Sequence, residues 1–225
     1  MIKRLGLAAA IFLFTFTGES RSEDDFQYWS RFQIKALDTN YLDFITFAEL
    51  RMNEDASNLG FWQTAQKLAY DPWKHLSLGM NYTYLESESF QRRTRDTEFK
   101  HHHRFELEIN PSWGWKDKLK LKNRNRFEFR WIEDQGSDHT RYRSLWELDL
   151  PLKKLGPLVS LYTNNEFFVD FNGEEINENR VTPLGATFKL YKKSTLKIFY
   201  MIQSRKGVSD WFSNQVIGSH VSLTY

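Results

Sequence analysis

From residue 26 onward, apolar and polar side chains alternate with a period of two, the repeat of an extended strand whose two faces meet different surroundings. Phe26, Tyr28, Phe32, Ile34 and Ala36 fall on one side of the first such segment, and Gln27, Trp29, Arg31, Gln33 and Lys35 on the other. Leu76, Leu78, Met80, Tyr82 and Tyr84 alternate with Ser77, Gly79, Asn81 and Thr83, and Phe105, Leu107 and Ile109 with Arg104, Glu106, Glu108 and Asn110. The same pattern sets Phe127, Phe129 and Trp131 against Arg126, Glu128 and Arg130, then Tyr142, Trp146, Leu148 and Leu150 against Arg141, Arg143, Glu147 and Asp149. Helical spacing fits none of these windows. Eleven strands are predicted, near 26–37, 41–52, 59–70, 75–86, 101–113, 118–132, 139–151, 157–170, 176–190, 195–206 and 215–225.

Turn signals between the strands alternate in size. Short ones, such as Asp38-Thr39-Asn40 and Asp71-Pro72-Trp73-Lys74, alternate with longer polar ones, such as Glu86 to Lys100 and Gly207 to Asn214. Short turns at one end and longer loops at the other are the plan of an outer-membrane barrel. A soluble sandwich or lipocalin-like barrel shows the same alternation, so other features must separate the two. Most predicted strands run ten residues or more, against about five or six in globular proteins and about nine to eleven in a tilted membrane strand. Trp73, Trp113 and Trp115 lie by the short turns, and Trp62, Tyr84 and Trp131 near the longer loops, as two interfacial girdles require. The last strand ends on the aromatic Tyr225, which resembles the C-terminal signature that the barrel-assembly machinery reads. The expected fold is therefore an all-β, antiparallel, up-and-down transmembrane barrel. Bacterial barrels of this class have an even strand number, so ten strands with the first segment in the lumen, or twelve with one segment divided, are expected.

Residues 1–22 read as an export signal. Lys3 and Arg4 precede thirteen uncharged residues, Leu5 to Thr17, a run too short to span a bilayer as a helix; the cut is placed between 18 and 22. Residues 23–225 would then form a single barrel domain in the outer membrane of a Gram-negative bacterium. Composition agrees with this plan. The 225 residues carry a formal charge of +2, and removal of residues 1–18, with Lys3 and Arg4, leaves 29 basic against 29 acidic side chains. That balance argues against a nucleic-acid partner. The chain has no cysteine, which excludes disulfides and thiolate chemistry.

Several short stretches, taken together, carry a resemblance. The opening Asp25-Phe26-Gln27-Tyr28-Trp29, the strand end Glu49-Leu50-Arg51-Met52-Asn53, the strand Leu76-Ser77-Leu78-Gly79-Met80-Asn81-Tyr82-Thr83-Tyr84 and the start His103-Arg104-Phe105 are similar to the bacterial outer-membrane barrel family called domain of unknown function 2490. The resemblance implies the fold and no activity.

Candidate chemistry lies mostly on the inward face. Lys120, Lys122, Arg124, Arg126 and Arg130 form a basic ladder along one strand, continued by Arg141 and Arg143 on the next; such a ladder could guide anions through a narrow pore. The plainer expectation is an interior of mutually neutralising charges, which the abundant inward glutamates favour. An outer-membrane lipid-modifying enzyme of Ser/His hydrolase or acyltransferase type is the alternative function. His220 and Ser222, two apart on one strand face, are its candidate catalytic pair, resembling the His-x-Ser of the outer-membrane phospholipase without the Asn-Gly that follows there. His101 and His103 share a face, but no third ligand can be placed, so no metal and no cofactor are expected. Arg92, Arg93 and Arg95 are candidates for contact with lipopolysaccharide phosphates in the surrounding outer-membrane lipid.

Overall fold

The computed structural model describes residues 25–91, 96–115, 118–134, 136–173, 175–207 and 210–225. The proposed signal segment 1–22 and the candidate lipid contacts Arg92, Arg93 and Arg95 lie outside the described residues. Among the described residues, eleven strands follow one another without a helix: β1 (Phe26–Asp38), β2 (Leu42–Asn53), β3 (Asn58–Trp73), β4 (Leu76–Gln91), β5 (Asp96–Trp115), β6 (Leu119–Ile132), β7 (Gly136–Leu155), β8 (Leu158–Asp170), β9 (Glu175–Lys189), β10 (Thr195–Lys206) and β11 (Trp211–Thr224). Each pairs antiparallel with its neighbour in sequence, and β1 closes the barrel by pairing with β11.

The strand number corrects the expectation of ten or twelve. β1 is part of the wall, bonded to β2 on one side and to β11 on the other, so it does not lie in the lumen. Successive antiparallel strands reverse direction, so in a barrel of eleven the first and last strands run the same way and must close on a parallel pair. The register does so without a break from Phe26↔Gln215 to Lys35↔Thr224. One rim, called upper here, therefore holds the starts of both β1 and β11, with Gln215 N–H donating to the Asp25 carbonyl at 2.9 Å. At the lower rim Tyr225 N–H donates to the Lys35 carbonyl at 3.2 Å.

The loops also differ from expectation. The strands run on into the predicted long loops, β4 reaching Gln91 and β5 starting at Asp96, so that two to five residues join consecutive strands at either rim. Charged turn residues such as Glu86 and Glu88 are thus strand residues, paired with His101 and Phe99.

The two faces of the wall separate as the alternation requires. Phe32, Leu50, Tyr70, Met80, Leu107, Ile109, Phe129, Ile198 and Ile217 point outward and are exposed, while Glu49, Glu106, Glu108, Glu128 and Glu166 point inward and are buried. Aromatics mark both rims on the outside. At the lower one the Trp113 and Trp146 rings stack at 6.3 Å; at the upper one Trp62 meets Tyr84 at 5.5 Å and donates its indole N–H to Glu86 at 3.0 Å. Inside, Trp29, Tyr162, Phe199, Met201 and Val216 form an apolar sector on β1, β8, β10 and β11. Two glycines make room for it: the Tyr162 ring lies over its register partner Gly185 and the Phe199 ring over Gly218, so closely that a Cβ at either glycine would overlap the ring. The rings consequently lie flat against the wall and leave the lumen to the charged side chains.

Candidate functional site

The inward residues of nearly every strand enclose one cavity of about 610 Å³. Its lining reaches from Gln27, Asn53 and Ser87 near the upper rim to Gln33 and Ser222 near the lower one. Ten arginines and one lysine line it against six glutamates. Glu128, fully buried behind Arg141 and Arg143, Glu108 beside Arg126 and Asp170 beside Arg130 reduce the excess without removing it.

The predicted ladder is brought together and largely neutralised by neighbouring strands. Lys122 donates to Glu147 at 2.7 Å, Arg124 to Glu166 at 2.8 Å and Arg130 to Asp170 at 2.9 Å. Arg126 pairs with Glu106 at 3.1 Å and, more closely, with Glu108, which also takes Lys67. Arg143 bridges Glu128 at 2.7 Å and Glu166 at 2.9 Å, and Arg141 reaches Glu128 at 2.7 Å. Lys120 is exposed near the lower rim and stands apart from this network. Strand register explains the pairing: Arg126 faces Glu108 on one side and Arg143 on the other, so each acid sits between cations of adjacent strands. Charges removed from water in this way persist only when paired and hydrogen-bonded, as these are.

Arg51 and Arg180 combine an ion pair with stacking: Arg51 Nε donates to Glu49 at 2.7 Å and Arg180 Nε to Glu178 at 2.6 Å. Arg51 lies 3.7 Å from the Trp29 ring centre and 4.1 Å from that of Phe61. Arg180 lies 4.9 Å from Trp29 and 4.6 Å from Phe168, which Arg141 and Arg143 also approach. A guanidinium over an aromatic face is attracted by the ring quadrupole, which fixes its orientation while its N–H edge meets a carboxylate. Arg180, Lys197 and Arg205 are inward charges that the alternation did not reveal. On β9 the outward positions Asn177 and Asn179 are polar as well, and on β10 the inward Phe199 and Met201 are apolar, so neither strand shows a contrast between its faces.

His220 and Ser222 both line the cavity, low on β11, and no hydrogen bond joins them. The His220 ring meets Phe199 edge-on at 5.1 Å. His101 and His103 point outward. His101 Nδ1 lies 2.9 Å from Glu133 Oε2, and His103 Nδ1 lies 2.7 Å from the Tyr82 hydroxyl. Among the described residues, no group of three or more His, Asp or Glu could hold a metal ion.

Comparison with known proteins agrees with this geometry. The beta domain of the Bordetella autotransporter Brka, a crystal structure, is similar to this chain with a TM-score of 0.51 at 9% identity, over 86% of this chain and 94% of that one. At that identity the likeness concerns the fold. No curated protein sequence matches the chain. The model of a protein family of unknown function, DUF2490, matches residues 26–214, from the first residue of β1 into β11. The chain belongs to the DUF2490 family.

Proposed function

We propose that the protein is an outer-membrane β-barrel whose lumen is a narrow, anion-preferring passage. The observation that carries this reading is the cavity itself, lined almost from rim to rim with more guanidinium than carboxylate groups. An apolar outer wall between two aromatic girdles supports placement in a bilayer, because closed barrels leave no sheet edge unpaired in lipid. Wide aqueous channels belong to barrels of about sixteen strands or more, whereas small barrels fill with side chains. Eleven strands with an ion-paired interior fit a slow conduit for small solutes. A ring of fixed positive charge raises local anion concentration and repels cations.

Planar-bilayer recording of the purified barrel tests the proposal. Unitary conductance well below that of a sixteen-stranded porin is expected, with a reversal potential in a potassium chloride gradient of the sign for chloride permeation. Silent bilayers, or a reversal potential of the opposite sign, would overturn it.

A further inference from the structure

The arginines of the lumen are not equally satisfied. Arg126 and Arg143 each reach two carboxylates within hydrogen-bond distance. Arg104, on β5 in the upper half of the lumen, reaches none: its Nη1 stays 3.7 Å from Glu106 and 3.8 Å from Glu128. Its Nε is closed off from solvent and has no acceptor, and the side chain as a whole is 12% exposed. Arg104 is thus a shielded guanidinium lining the cavity, with carboxylates near it but beyond hydrogen-bond reach and its Nε donor unused.

Several neighbouring arginines share one acid. Glu178 faces Arg180 at 2.6 Å, Arg205 at 3.8 Å and, beyond that residue's closer pair with Glu128, Arg141 at 3.9 Å, and it also accepts from Gln203. Stacking on Trp29 and Phe168, together with ion pairs to Glu49, Glu128 and Glu178, positions Arg51, Arg141 and Arg180 in advance. All five arginines line the same cavity. The cationic residues there are arginine with a single lysine, and the planar fork of arginine matches the oxygens of phosphate two at a time, where an ammonium offers a point charge. About 610 Å³ lies within the range of sites for small organic molecules, well beyond the needs of a single inorganic ion.

We propose that the upper lumen is a binding site for a phosphorylated solute, with Arg104 as the principal phosphate ligand and Arg51, Arg141, Arg180 and Arg205 completing the cradle. The site rests on the reading of the lumen as solvent-connected, and it specifies the class of anion admitted. Binding to the shared phosphate chemistry could begin from free pyrophosphate or from an organic phosphate, so both serve as probes.

Isothermal titration of the full chain in detergent micelles, with pyrophosphate and with glucose 6-phosphate at matched ionic strength, tests the site. Saturable binding of at least one probe is expected, with affinity reduced at least tenfold in Arg104→Gln and only partly restored in Arg104→Lys. Tighter binding of glucose 6-phosphate assigns the organic source, and tighter binding of pyrophosphate the inorganic one. Heat released no differently from that of potassium chloride, or an Arg104→Gln variant within twofold of the parent, would overturn the proposal. Folding is checked by heat-modifiable electrophoretic migration. Should Arg104→Gln fail that check, Arg205→Gln, whose side chain is 42% exposed, is expected to bind at least threefold more weakly. An unchanged affinity there overturns the site equally. Micelle binding needs no conduction. Binding without conductance therefore removes the passage and keeps the site, and conductance without binding does the reverse.

Discussion

Glu128 has no exposed surface and is the acid on which three arginines from the two flanking strands converge: Arg141 and Arg143 reach it at 2.7 Å and Arg104 stands at 3.8 Å. Glu128→Gln preserves shape and removes only charge, so cavity formation adds nothing to its cost. Removing the charge that Arg141 and Arg143 share is expected to destabilise the barrel by about 3–5 kcal/mol, the scale for breaking a buried ion pair from one side. Lys120→Gln, at an exposed position, is expected to stay within about 0.5 kcal/mol of the parent. Urea midpoints of the two variants, followed by tryptophan fluorescence, make the comparison; equal midpoints would show that the network contributes no net stability. Individual residues were legible in the sequence to the extent that alternation fixes a face. Trp29 fell with Gln27 and Arg31 on the polar side, and it does point inward. Its two stacked arginines, Arg51 and Arg180, come from β2 and β9, and no local pattern could have supplied them. The basic ladder and the abundance of inward acids were both visible, but not which acid meets which cation, because the partners lie on neighbouring strands in register rather than nearby in sequence.

All eleven strands were present in the hydrophobic pattern, with their ends less well placed. Polar residues between strands resemble loops until a partner strand takes up their backbone groups, and the β4–β5 hairpin does this as far as Gln91↔Asp96. Closure could not be read from the pattern at all, because alternation carries a strand's face and not its direction. The parallel seam has a definite signature. Ser30 faces Ser219 and Ile34 faces Leu223, two pairs with the same offset. In an antiparallel pair the sum of the two numbers is constant instead, so at most one of these pairs could be opposed. The chain has no cysteine of its own, so engineered pairs report cleanly. Ser30→Cys with Ser219→Cys, and separately Ile34→Cys with Leu223→Cys, are both expected to form a disulfide under mild oxidation, since opposed strand positions lie within the Cα separation that a disulfide spans. A gel shift for one pair only would contradict the seam.

At the scale of the whole molecule, the odd strand number has a consequence that an even one lacks: the wall begins at one rim and ends at the other. Asp25 is held at the upper rim by β11 and by the β2–β3 connection, where its carboxylate accepts from the Asp55 amide at 3.0 Å, whereas Tyr225 lies beside Lys35 at the lower rim. If the barrel spans the outer membrane as proposed, these two residues face opposite compartments. Ten or twelve strands would put both on the periplasmic side. Single-cysteine variants Asp25→Cys and Tyr225→Cys, treated in intact cells with a membrane-impermeant maleimide too large to enter the lumen, distinguish the two arrangements. One of the pair is expected to label at once and the other only after the outer membrane is permeabilised. Labelling of neither before permeabilisation would place both ends inside, which a barrel closed on a parallel pair does not permit. Which of the two labels first also sets the direction of the proposed phosphate site. Arg104 and Arg205 lie toward the rim that carries Asp25, so labelling at residue 25 in intact cells would mean that a solute meets the arginine cluster on entry from outside.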